Sequence, residues 1–160
     1  MLLVTARLDS CNSLLYGLPQ HLNSRLQSIQ NTAARVVTCT RKFDHITSVV
    51  KQLHWLHVRY RIVFQILLLV YKALNGTAPS YISELLKCHT SERKLRSSSQ
   101  HLLATPKARL KTYGERAFAV AAPRLWNSIP LDLRSSSSID IFKRHLKTYL
   151  LNELFKFLIF

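Results

Sequence analysis

The 160-residue chain is predicted to be all-α, an irregular bundle of six or seven helices with one long basic loop at about 88–112. Three observations predict this class. Apolar residues recur at three- and four-residue steps in several long segments, the spacing of one helix face. Helix-boundary residues (Pro19, Asn75-Gly76, Pro79, Ser138) punctuate those segments. Only three Gly and five Pro are present, and 48% of residues are apolar, which excludes collagen-like, linker-like and disordered chains.

Residues 2–16 read as a first helix, weakened by Asp9, Ser10 and Asn12. A turn at 16–19 follows, with Pro19 suited to a first helical position that needs no amide hydrogen. The next helix runs to about Thr38, and its predicted core stripe is Leu22, Leu26, Ile29, Ala33, Val36 and Val37. A connector at 38–43 leads to Asp44, the expected N-cap of a short helix carrying Val49, Val50 and Leu53. The most apolar segment, 62–74, belongs to a long buried helix at about 58–75, ended by Asn75-Gly76. Gln65 and Lys72 interrupt it, and it is shorter than the roughly 20 apolar residues of a membrane span.

Pro79 is expected to start a short helix at 79–87. Residues 88–112 are rich in Ser, Thr, Lys and Arg and read as the long loop, with one short strand at 101–105. A helix at 113–127 should be kinked or broken by Pro123. Ser138 is expected to cap the last helix, with Phe142, Leu146, Leu150 and Leu154 as its buried stripe. The organisation expected is 1–87, a basic loop 88–112 and C-terminal helices 113–160, forming one compact unit. Trp55, Phe64, Leu68, Tyr71 and Trp126 are predicted core residues.

The residues carry no readable active site. Two-metal chemistry needs clustered carboxylates. The chain has eight acids, and at least seven residues lie between any two of them. No phosphate-binding glycine loop is present. Cys11, Cys39 and Cys88 are too far apart for a zinc motif, and three reduced thiols are expected. His54 and His57 lack a third ligand nearby, so packing or capping explains them better than a metal. No cofactor, metal, small-molecule substrate or membrane is expected, and the N-terminus lacks the pattern of a secretory leader, which implies a nuclear or cytoplasmic setting.

The charge is informative. Lys and Arg number 23 against 8 Asp and Glu, a formal net charge of +15. That excess points to a polyanionic partner, RNA or DNA, held through its backbone. Cations concentrate at Arg41-Lys42 with Lys51, Arg59 and Arg61, and again from Lys87 to Arg116. The candidate phosphate contacts are Arg41, Lys42, Arg59, Arg61, Lys107, Arg109 and Lys111. No signature of base-specific recognition accompanies them.

Six strings, in order, carry a family resemblance: RLDSCNSLLYGLP (7–19), RLQSIQNTAARVV (25–37), TRKFDHIT (40–47), LHWLHVRYRIVFQILLLVYKALNGTAPSYI (53–82), GERAFAVAAPRLWNSIP (114–130) and IFKRHLKTYL (141–150). They resemble the C-terminal part of the reverse transcriptase of LINE-type, non-LTR retrotransposons of the chicken-repeat and Jockey-like clades. The resemblance covers about residues 2–152. It implies that 1–87 is thumb-like and that the chain as a whole comprises the thumb and the segment after the polymerase. It also implies that the palm and fingers lie outside the chain. The family's paired palm aspartates have no counterpart here, since the sequence contains no Asp-Asp.

Departures from the family pattern are Ser10 in place of Tyr, His57 in place of Pro and Ser48 where Pro is common. His57 is expected to extend the long helix toward its N-terminus. Met1 falls inside a family motif, as expected of a 5′-truncated element. The resemblance implies a non-catalytic fragment that grips a template–primer or target duplex in the intact enzyme. The alternative is a captured, stand-alone basic helical module that binds nucleic acid or protein. A small enzyme in its own right is the least supported reading, because no convergent polar set is present.

Overall fold

The computed structural model describes residues 2–89, 100–108, 110 and 112–157, with the side chains of 2–5 and 157 left aside. The fold is all-α. Eight α-helices occur among the described residues: α1 (Leu2–Asp9), α2 (Gln20–Thr38), α3 (Ile46–Gln52), α4 (Val58–Leu74), α5 (Ser80–Ser83), α6 (Phe118–Ser128), α7 (Leu131–Arg134) and α8 (Ile139–Phe157). The count exceeds six or seven because α7, a single turn, adds to the expected helices. Two compact units are formed, Met1–Val63 with Lys147–Phe160, and Phe64–Leu146. The boundaries fall inside α4 and α8.

In the first unit, α2 packs against α1 and α3. The expected helix over 2–16 is shorter. It stops at Asp9, Cys11 takes the left-handed conformation (φ 54°), and Asn12–Leu15 form a 3-10 turn. A non-glycine residue there costs about 1–2 kcal/mol, enough to end a helix that Asp9, Ser10 and Asn12 already weaken. Asp44 does not cap α3. His45 is the N-cap, and the Asp44 carboxylate instead accepts the Arg41 amide N–H at 3.2 Å. Nor does His57 lengthen α4, which begins one residue later at Val58.

The largest correction concerns α2. Its buried line runs through Gln30 and Ala34, while Ile29 is 55% and Val36 73% exposed. At about 100° per residue, the predicted stripe through Leu22, Leu26, Ile29, Ala33, Val36 and Val37 lies roughly a quarter turn from the buried line, and Leu22, Leu26 and Ala33 on its near edge are half-buried. Backbone satisfaction accounts for the rotation. Gln30 Nε2 donates to the Leu56 carbonyl at 2.8 Å, and Gln27 Oε1 accepts the Val58 amide N–H at 2.9 Å. Gln27 Nε2 in turn donates to Asn31 Oδ1 at 2.8 Å. The entry to α4 is therefore hydrogen-bonded by two glutamines, and α2 turns those amides inward. The remaining core of this unit includes Val49, Val50, Leu56, Val58, Ile62, Leu150 and Leu154.

In the second unit the buried side chains follow the apolar pattern of the sequence. Ile66, Leu67, Val70 and Tyr71 of α4 are buried, as are Trp126 of α6 and Phe142 and Leu146 of α8. Tyr71 stacks on Phe142 with centroids 4.4 Å apart, and Trp126 lies tilted at 6.0 Å from the same ring. The polar ends of these aromatics are satisfied. Tyr71 Oη donates to the Ser136 carbonyl at 2.8 Å, and Trp126 Nε1 donates to the His101 carbonyl at 2.9 Å. Asn127 accepts the Leu103 N–H at 2.9 Å and donates to the Leu103 carbonyl at 2.8 Å.

The strand expected at 101–105 is reduced to one antiparallel bridge, Cys88 with Leu103. The Asn127 amide occupies both backbone groups of Leu103, so it replaces a neighbouring strand. Helix α6 begins at Phe118 rather than 113, and it runs through Pro123 without breaking. Proline removes one intrahelical donor. Burial of Val120, Ala121, Ala122 and Trp126 offsets that loss. The helix expected at 79–87 is only α5, over 80–83.

Prolines enter three helices in the same way. Pro19, Pro79 and Pro130 are the N-cap residues of α2, α5 and α7, each in extended geometry with φ of −53°, −57° and −57°. Pro19 and Pro79 thus sit one position earlier than expected. Ser138 does cap α8, its hydroxyl accepting the Ile141 N–H at 3.3 Å. Gly76 (φ 67°) closes α4 as anticipated.

Candidate nucleic-acid interface

The loop 39–45 in the first unit is built by its own polar groups. Helix α2 ends where Cys39 adopts φ 51°, and the Cys39 and Thr40 amides both donate to the Arg35 carbonyl. The Arg35 guanidinium then reaches across the loop. Its Nη1 donates to the Arg41 carbonyl at 2.7 Å and to the Asp44 carbonyl at 3.0 Å. The Asp44 amide N–H donates to the Arg41 carbonyl at 3.2 Å, closing a tight turn. The Thr38 and Thr40 hydroxyls share a 2.6 Å hydrogen bond. This turn leaves the side chains of Arg41, Lys42 and Phe43 exposed.

The candidate cations have different circumstances. Arg41 and Lys42 share this loop and form no ion pair among the described residues. Lys42 Nζ stands 6.0 Å from the Phe43 ring centroid. Arg59 is exposed on the first turn of α4, in the same unit. Arg61, two residues on, is engaged. Its Nε donates to Asp9 Oδ1 at 2.8 Å and its Nη2 to Asp9 Oδ2, and its side chain is only 14% exposed. A bidentate guanidinium–carboxylate pair is a strong contact. Arg61 therefore joins α4 to the end of α1. Lys107 is exposed in the second unit. Arg109 and Lys111 lie outside the described residues, as do Arg93, Lys94 and Arg96 of the basic loop.

Several acids pair with other cations: Glu115 with Arg124, Asp140 with Lys143 and Glu153 with Lys156. The Glu153 carboxylate holds the Lys156 ammonium pKa above its ordinary value, chiefly through their hydrogen bond. Lys51 is also occupied, its Nζ 5.4 Å from the Phe155 ring centroid. Close to Arg59, burial pushes the Tyr60 hydroxyl pKa up, Arg59 opposes the shift, and Glu153 and Tyr149 add to it. Burial pushes the His57 imidazole pKa down.

Among the described residues, no group of three His, Cys, Asp or Glu is placed to hold a metal ion. No helix among them is long and apolar enough to cross a membrane. The three cysteines are exposed free thiols. Sequence reasoning missed Phe43. The available signal was an aromatic residue in a connector, off every apolar stripe and next to Arg41-Lys42. No family model, curated protein sequence or solved structure matches the chain.

Proposed function

We propose that the chain is a non-catalytic, nucleic-acid-gripping part of a LINE-type reverse transcriptase, comprising its thumb and the segment after the polymerase. Palm and fingers are the partners this reading requires. The observation that carries it is the distribution of charge. Arg41, Lys42, Arg59 and Lys107 are exposed and unpaired among the described residues, while Asp9, Glu115, Asp140 and Glu153 are each taken up by another cation. A surface that leaves cations unneutralised in a chain of net charge +15 attracts a phosphate backbone and releases its counterions. Backbone contacts of this kind position a strand without reading its sequence. The six family-like strings supply the polymerase context.

The test is a salt titration of binding to an RNA–DNA hybrid, duplex DNA and single-stranded RNA. The affinity is expected to fall steeply and linearly in log–log form. Each of Arg41→Gln, Lys42→Gln and Arg59→Gln should reduce the slope by about 0.7–0.9. Arg61→Gln should leave the slope unchanged and lower stability instead. Binding that is weak and indifferent to salt, or primer extension by the purified chain, would refute the proposal.

A further inference from the structure

We infer that Phe43 is a stacking platform for an unpaired nucleobase, with Arg41 and Lys42 holding the adjacent phosphates. This rests on the nucleic-acid reading above and adds the strand type. Phe43 is 92% exposed, the most exposed large apolar side chain among the described residues. Water contact over nearly a whole phenyl ring is unfavourable, and no apolar helix stripe takes the ring up; its neighbour is the Lys42 ammonium, with Nζ 6.0 Å from the ring centroid. The loop presenting it is ordered by its own chemistry. Arg35 bridges the Arg41 and Asp44 carbonyls, and the Asp44 carboxylate and amide both bond to the Arg41 backbone. The ring is thus offered from a prearranged turn, which reduces the ordering cost of binding.

The neighbours set the ligand. Arg41 and Lys42 immediately precede the ring, and the adjacent carboxylate, Asp44, is turned onto the Arg41 amide. An aromatic face beside paired cations matches the alternating base and phosphate of a nucleic-acid strand. In a duplex the base faces are covered by their neighbours. The ring therefore selects a single strand or a frayed end. A duplex grip would not need the ring.

The experiment uses the full chain with oligo(dT) carrying one 2-aminopurine, its RNA counterpart, and the matching duplex. Phe43→Ala is expected to weaken single-strand binding about tenfold and to relieve 2-aminopurine quenching. Duplex affinity and the salt slope should not change. Phe43→Trp should retain affinity and quenching, while Phe43→Leu, which keeps apolar area but loses the aromatic face, should behave like Phe43→Ala. The exposure of the ring makes all three variants compatible with folding, checked by circular dichroism.

If Phe43→Ala leaves single-strand affinity and quenching intact while Arg41→Gln and Lys42→Gln lower the slope, the stacking role is overturned and the nucleic-acid reading survives. If the wild-type chain binds no nucleic acid, both fall. If it instead binds vesicles of phosphatidylserine and phosphatidylcholine, and Phe43→Ala abolishes that, the ring is a membrane anchor and the inference is wrong.

Discussion

The two units solve the problem of burying polar groups differently. The second surrounds Tyr71, Trp126 and Phe142 with apolar side chains and gives each polar tip or amide a backbone partner, at Ser136, His101 and Leu103. The first turns Gln27 and Gln30 inward to bond the entry of α4, and it leaves Ile29 and Val36 in solvent. The contrast teaches that a helix orients by the sum of its partners. On α2, two amides serving buried backbone groups decide the orientation against the apolar stripe. An unsatisfied buried backbone group costs about 1–3 kcal/mol, comparable to burying one aliphatic side chain.

The sharpest way to break this comparison is Trp126→Ala. It removes the largest fully buried side chain and leaves the His101 carbonyl without its donor. A loss of about 3–5 kcal/mol is expected in urea denaturation. A loss below about 1 kcal/mol would mean that the aromatic cluster does not dominate the second unit.

Gln30→Ala probes the first unit in the same assay. It strips the donor from the Leu56 carbonyl, and a cost of about 1–3 kcal/mol is expected. A neutral result would remove the amide explanation for the rotated α2.

A smaller effect comes from pH. Burial lowers the folded-state pKa of His57 from its ordinary 6.5. The unfolded chain therefore takes up this proton first as pH falls. Stability from this group is fully present above about pH 6.5 and declines as pH drops toward the lowered folded value. His57→Gln should flatten that part of the stability–pH curve relative to the wild type. An unchanged difference between pH 7.5 and 5.5 would show that His57 is as well solvated folded as unfolded.

Least of all should be the effect of Val36→Ser. With Val36 73% exposed, the thermal midpoint is expected to move by the equivalent of no more than about 0.5 kcal/mol. A loss above 2 kcal/mol would place Val36 in a core and restore the predicted stripe.

The candidate interface was partly legible in sequence. Arg41 and Lys42 were visible as neighbours in a connector, and Arg59 stood out near the start of a long helix. That Arg61 is taken by Asp9 could not be read from sequence, because the partner lies 52 positions away. Phe43 was overlooked because pattern reading assigns aromatics to stripes, and its meaning depends on exposure.

Sequence alone determined the all-α class, the limits of α4, the Ser138 cap of α8 and the buried line Phe142–Leu146–Leu150–Leu154. These depend on local geometry: a 3.6-residue period, a glycine that accepts positive φ, and a hydroxyl within reach of its own helix. Tertiary structure decided which face of α2 is buried, how α6 runs through Pro123, and which arginines remain available for a ligand. Those outcomes depend on hydrogen-bond and charge partners supplied by distant parts of the chain, whose balance no local window contains.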